Sequence, residues 1–157
     1  MLHPDEITIL LTQRTDHLKD HPGQIGFPGG HVEPGDAGPL QTALREVEEE
    51  IGLGPEAIEV AGYLPPYAVV TGFAITPVVG FVVPPAKLEL DAFEVAATFE
   101  VPLAFFLDEA SLVRSSRTVR GIEVPLFEYQ YGHHRIWGAT AHMLHKFITL
   151  LNRNNNI

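Results

Sequence analysis

Residues 27–53, FPGGHVEPGDAGPLQTALREVEEEIGL, decide how this chain folds. The first third is loop-forming, with Pro28, Gly29, Gly30, Pro34, Gly35 and Gly38 crowded together. From Pro39 the pattern changes. Apolar side chains fall at Leu40, Ala43, Leu44, Val47 and Ile51, at offsets of 3, 4, 7 and 11, one stripe of an α-helix. Pro39 suits the first turn, and Asp36 or Gly38 is the expected cap. Gly52 stands where a left-handed C-terminal cap is expected.

The face opposite the stripe carries Glu46, Glu49 and Glu50, spaced i, i+3 and i+4, so their carboxylates converge on one patch. Like charges at this spacing repel by roughly 0.2–0.5 kcal/mol per pair. Glu49 and Glu50 also sit in the last turn, at the negative end of the helix dipole. For EVEEE alone, a solvated acidic face is the plain alternative. Divalent cations bound at the patch would explain why acids stand where lysine or arginine would serve the helix better.

The rest of the stretch decides between the two. It reads Gly30, five residues, Asp36, eight residues, Arg45-Glu46-Val47, one residue, Glu49-Glu50, one residue, Gly52-Leu53. This resembles the Nudix box, G-x5-E-x7-R-E-U-x-E-E-x-G-U, with U a bulky aliphatic residue. Asp36 replaces the first glutamate of that pattern, and the gap before Arg45 is eight residues instead of seven. Upstream, LLTQRTDHLKDHPGQIGFPGG is similar to the signature of the coenzyme A pyrophosphatases of the family. Leu10, Leu11, Thr12, Arg14, Gly23, Phe27, Pro28, Gly29 and Gly30 match in register. Thr15 stands for serine or alanine and Lys19 for arginine, keeping the charge and losing the bidentate fork. The eight-residue gap after Asp36 also resembles that subfamily.

Size and composition bound the answer independently. The 157 residues suffice for a single domain, expected over 1–151, burying roughly 70% of its unfolded surface. The polar end, 152–157, is expected to fray. No apolar run approaches a membrane span, and no basic region precedes the first apolar run. With no cysteine, disulfides and thiolate metal sites are excluded, and a cytoplasmic location is the expectation. Twenty acidic against ten basic residues give a net charge of −10, which argues against a nucleic-acid partner. A small phosphorylated substrate stays compatible, because bound metals reverse the local sign.

Taken in order, ITILLT (7–12) reads as a strand after a turn at His3-Pro4-Asp5, and the segment up to Gly30 as loop. Residues 57–64 read as a second strand. FAITPVVGFVV (73–83) reads as a central strand, bent or bulged at Pro77 and Gly80. Residues 99–101 suggest a short strand, with Pro102 opening a short helix through Leu107. Residues 116–119 and 122–129 suggest a hairpin turning at Arg120-Gly121. A closing helix is expected over 137–151, with Ala141, Leu144, Ile148 and Leu151 as its stripe. His142 and His145 read as surface or packing residues.

The resemblance implies an α/β fold of the α+β kind: a Nudix-type α/β/α sandwich with a mixed central β-sheet. It implies Mg²⁺ or Mn²⁺ held by Glu46, Glu49 and Glu50 with a backbone carbonyl near Gly29 or Gly30. Arg45 would brace the glutamates. Glu49 and Glu94 are both candidates for the group that takes the proton from water, with Glu100 as the alternative to Glu94 for a carboxylate from outside the box. Arg14 and Lys19 would contact substrate phosphates, and Thr71, Gly72 and Phe73 would lie beside the substrate. The implied reaction cuts coenzyme A, or a derivative, at its pyrophosphate. Hydrolysis of ADP-ribose or a dinucleotide is the alternative, and a nucleotide-sensing domain or an acidic structural module are readings of another class. Related chains carry one more strand before ITILLT. An unfilled place there would expose a sheet edge and favour a homodimer.

Overall fold

The computed structural model describes residues 1–69, 72–83, 86–119 and 121–154. The strand β1, Thr8–Arg14, has β7, Val95–Pro102, along one side and the two-residue β2, Ile25–Gly26, along the other. The loop expected between Gln13 and Gly30 therefore contains a short strand, pinned at Thr12↔Gly26 and Gln13↔Ile25. A second sheet has the order β10-β9-β8, with β8 at Leu112–Val119, β9 at Ile122–Tyr131 and β10 at His134–Trp137. The expected hairpin is present, in register from Val119↔Ile122 to Leu112↔Tyr129. Of its turn, Arg120 lies outside the described residues.

Two smaller ladders complete the strands. β3, Ile58–Tyr63, pairs with β6, Val78–Val82, and β4, Tyr67–Ala68, pairs with β5, Ala74–Ile75. The single central strand expected over 73–83 is instead two pieces. They part at Thr76-Pro77, where proline has no N–H for a ladder. The irregularity lies in the partner strand, between Val60 and Gly62. Nor is this strand central: among the described residues β3 is the one strand paired with β6, and Phe81 is exposed. Among the described residues every ladder is antiparallel, so the parallel pair that a mixed sheet requires is not found there.

The main core lies between these sheets and the closing helix α3, Gly138–Asn154. Leu11 and Val101 from the first sheet meet Tyr129 and Ile136 from the second, and Ala141, Leu144 and Ile148 bring the predicted stripe of α3. Phe106, from the short helix α2 at Leu103–Leu107, packs edge-on to Tyr129 with ring centroids 5.1 Å apart. The Thr140 hydroxyl donates to the Ile25 carbonyl at 3.0 Å, tying α3 to β2. α3 runs through Asn152 and Arg153 to Asn154, three residues into the segment expected to fray. His142 stacks on Tyr67 and His145 packs on Phe127, the packing roles expected of them.

The N-terminal turn brings the chain back on itself. Leu2 bridges Ile7, and the Leu2 N–H donates to the Val82 carbonyl at 2.9 Å. Leu2 thus links the start of β1 to the end of β6. The box helix α1, Pro39–Ile51, is capped by Gly38 without a side-chain bond, so Asp36 is free for another task. Gly52 takes the left-handed conformation foreseen for it, φ +71°, and donates its N–H to the Glu48 carbonyl. Two further N–H groups close that end. Glu89 donates to the Ile51 carbonyl at 2.9 Å and Asp91 to the Glu50 carbonyl at 3.0 Å. The acidic loop thereby satisfies carbonyls that a helix end leaves open.

Candidate active site

α1 turns Glu46 and Glu50 toward the Gly29-Gly30 loop and leaves Glu49 at the rim. The Glu50 side chain is only 7% exposed, and the Gly29 N–H donates to its Oε2 at 3.2 Å. Burial pushes the Glu50 carboxyl up to about 7. The Gly29 bond pulls it down, the charges of Glu46 and Glu94 push it further up, and Arg14 pulls it down. Glu46 is raised too, chiefly by burial, against the pull of Arg45 and with a push from Glu49 and Glu94. Its carboxylate lies directly against Gly30, where a Cβ would overlap it. That close approach is a physical reason for glycine at position 30.

Arg45 is the brace. Its Nη1 lies 2.8 Å from Glu49 Oε2 and 3.0 Å from Glu46 Oε1. Its Nη2 donates to the His31 carbonyl at 3.0 Å and to Asp36 Oδ2 at 3.2 Å, and its Nε donates to Asp36 Oδ1 at 3.3 Å. Arg45 therefore ties the loop of residues 31–36 to the acidic face. Asp36 also accepts from the Thr42 hydroxyl at 2.8 Å. Hydrogen bonds from Arg45 first, and from the Glu33 backbone, hold the Asp36 carboxyl down at about 2. The shorter acid in place of glutamate thus anchors the arginine. The sequence pointed to Asp36 as a cap and as the box position usually held by glutamate, but not as the partner of Arg45; its fixed distance from Arg45 was the signal available.

Of the two acids considered from outside the box, the one near it is Glu94. Arg14 faces both it and the box, 3.9 Å from Glu94 Oε2 and 3.9 Å from Glu50 Oε1. Glu100, the alternative, is elsewhere: it bonds His3 and the Thr8 hydroxyl. Lys19 shares with Arg14 a groove of about 350 Å³, lined also by His17, Leu18, Asp20 and Phe93. Phe73 packs edge-on against His31, ring centroids 5.3 Å apart, which brings the Gly72-Phe73 turn to the border of the Gly30 loop. Thr71 lies outside the described residues.

With this geometry in view, comparison with known proteins is decisive at one level. A NUDIX domain family model matches residues 2–110, more than two thirds of the chain. The chain belongs to the Nudix family. A protein of Enterobacter sp. (strain 638), described as the uncharacterized Nudix hydrolase NudL, is 42% identical over 133 residues, 85% of this chain and 69% of its own length. Its namesake in Salmonella paratyphi B (strain ATCC BAA-1250 / SPB7) is 43% identical over 136 residues, 87% of this chain and 71% of its own. At that level the chain is a Nudix hydrolase. Two solved structures share its fold. A MutT protein from Methanosarcina mazei Go1 aligns with TM-score 0.56 at 20% identity, over 92% of this chain and 85% of that one. An Ap4A hydrolase of C. elegans aligns with TM-score 0.53 at 22% identity, over 63% of this chain and 71% of that one.

Nudix hydrolases use divalent metal ions. Here the Glu46 and Glu50 carboxylates face the Gly29-Gly30 loop, oxygen donors of the kind that hard cations take. Gly30 lets the Glu46 carboxylate come close against the loop backbone. Among the described residues no group of three acid or histidine side chains is placed to hold a metal ion as the structure stands. Arg45 holds Glu46 and Glu49, and the Gly29 amide holds Glu50, in the structure as it stands. In donor type the residues present fit such an ion. Among the described residues no helix is long and apolar enough to cross a membrane.

Proposed function

We propose that this Nudix hydrolase cuts the pyrophosphate link of coenzyme A or a close derivative, releasing 3′,5′-ADP and (acyl-)4′-phosphopantetheine. The observation that carries this reading is the placement of Arg14 and Lys19, the two cations of the coenzyme A signature. They line one groove, and Arg14 at its inner end faces Glu50 and Glu94. A chain of net charge −10 that takes up a polyanion needs such local cations. Arg14 is suited to grip a phosphate by its planar fork, and Lys19 to meet one as a point charge.

Glu46, Glu49 and Glu50 would hold Mg²⁺ or Mn²⁺, completed by a carbonyl of the Gly29-Gly30 loop. When bound, such an ion shields phosphate charge and lowers the pKa of a water. Arg45 orients Glu46 and Glu49 and fixes the loop through Asp36 and His31. Glu49 and Glu94 are the carboxylates assigned to the proton of the attacking water. Glu49 is the more exposed, at 59%, and Glu94, beside Arg14, is 42% exposed. Thr71, Gly72 and Phe73 are assigned a place beside the substrate. The lack of cysteine supports a cytoplasmic setting.

The test is product chromatography after incubation with coenzyme A and, separately, ADP-ribose, each with Mg²⁺ or Mn²⁺. Faster release of 3′,5′-ADP from coenzyme A is the expected result. Faster turnover of ADP-ribose would overturn the substrate assignment and leave the hydrolase intact.

A further inference from the structure

The groove beside the carboxylates has a feature that phosphate binding does not use. Phe93 is 64% exposed, a large apolar ring in water. Its backbone is nevertheless held from both sides. The Phe93 N–H donates to Asp91 Oδ1 at 2.9 Å, and its carbonyl accepts from the Thr15 hydroxyl at 2.7 Å. The next residue is held as firmly: the Glu94 N–H donates to the Asp91 carbonyl at 3.1 Å, and its carbonyl accepts from the Thr15 N–H at 3.0 Å. Thr15 itself is buried at the end of β1. One braced turn thus presents Glu94 to Arg14 and the box, and the next ring along to the groove.

The exposed His17 ring lies 4.8 Å from Phe93, tilted by 59°, so it props the ring and leaves the rest of the aromatic face open to the groove. The remaining lining is mixed: Arg14 and Lys19 are cations, Asp20 an acid and Leu18 apolar. A pure anion site would not pair an acid with an open phenyl face. A planar heterocycle with a phosphate nearby matches this lining, since a ring stacks on a ring while cations meet the phosphate.

We propose that Phe93, propped by His17, is the platform on which the nucleobase of the substrate stacks, making it a specificity-determining residue. The inference rests on the reading of the substrate as a nucleoside diphosphate derivative, and not on its being coenzyme A. Stacking is made before the reaction and kept through it, so its loss is a loss of uniform binding.

The experiment compares the full chain with Phe93→Ala and Phe93→Trp, using coenzyme A and ADP-ribose as substrates. Calorimetric titration with 3′,5′-ADP and with 4′-phosphopantetheine accompanies it. Phe93→Ala is expected to raise KM by about tenfold, the range of one base–aromatic stack, with a smaller change in kcat. It should weaken 3′,5′-ADP by a similar factor and leave 4′-phosphopantetheine unchanged, while Phe93→Trp restores both. An unchanged KM and unchanged 3′,5′-ADP affinity in Phe93→Ala would overturn the platform, even with coenzyme A confirmed as substrate. So would a loss confined to 4′-phosphopantetheine, or absence of nucleotide binding by the unmodified chain. If ADP-ribose proves the better substrate and its KM rises in Phe93→Ala, the platform stands and the coenzyme A assignment falls.

Discussion

Glu50 shows how far this helix departs from what its own stability would favour. The side chain is buried beside Glu46 and Glu94, and the cation facing it among the described residues, Arg14, stands 3.9 Å away. Its carboxyl is raised from an ordinary 4.5 to about 7, so the folded chain holds that proton more tightly than the unfolded chain. The resulting stabilisation is full below pH 4.5 and is lost as the pH rises through 7. Metal-free protein should therefore lose on the order of 2–3 kcal/mol between pH 5 and pH 8 from this group. Urea titrations at the two pH values would measure it, and Glu50→Gln should flatten the difference. An equal slope in that variant would assign the effect elsewhere. Arg45 allows a second test at this scale. Lysine keeps its charge but cannot span Asp36, His31 and two glutamates at once. Arg45→Lys should cost roughly 10–100-fold in kcat or metal affinity, the usual range for a group that orients metal ligands. The converging glutamates were legible from spacing alone, because side chains three and four apart on a helix must share a face. The role of Asp36 was not, since a loop's path is set by what it packs against.

At the scale of elements, α1 depends on a segment almost forty residues away. Its acidic last turn has no basic residue to offset the dipole. What closes it is backbone: Gly52 in the left-handed region, then the N–H groups of Glu89 and Asp91. A Cβ on Gly52 would stand 2.9 Å from Glu89 Cβ and 3.0 Å from its backbone N. Gly52→Ala thus combines a left-handed alanine with displacement of that cap, and about 1–2 kcal/mol is expected from the conformation alone. The same shift would disturb Asp91, which holds Phe93 and Glu94. Chemical denaturation should show the loss of stability, and KM should rise with it. A destabilised variant with unchanged kinetics would separate the cap from the site. Helix and glycine stop could be read from the sequence because both are local signals. The strand over 73–83 could not, because its apolar run looks the same whether β6 lies in the middle of a sheet or, as found, at the edge of a pair.

For the whole molecule, the balance of charge and cation decides. The chain carries −10, and the buried Glu50 lies in the helix whose converging glutamates nominate it as a metal site. A cation bound only by the folded state stabilises it by RT ln(1 + [L]/Kd), about 2.7 kcal/mol at a hundredfold excess over Kd. For a chain of this size that corresponds to a rise in Tm of about 5–10 °C. Mn²⁺ or Mg²⁺ should produce such a rise at pH 8, and excess chelator should reverse it. The rise should be smaller at pH 5, where Glu50 carries its proton and a cation must compete for the oxygen. Glu46→Gln and Glu50→Gln should each reduce the shift, while Glu49→Gln, altered at the exposed rim, should abolish hydrolysis with little change in the metal-free Tm. Monovalent salt at matched ionic strength is the necessary control, since screening alone relieves repulsion in an acidic chain. If NaCl reproduces the whole rise, the acidic face is only a solvated surface, and the alternative first raised by EVEEE wins.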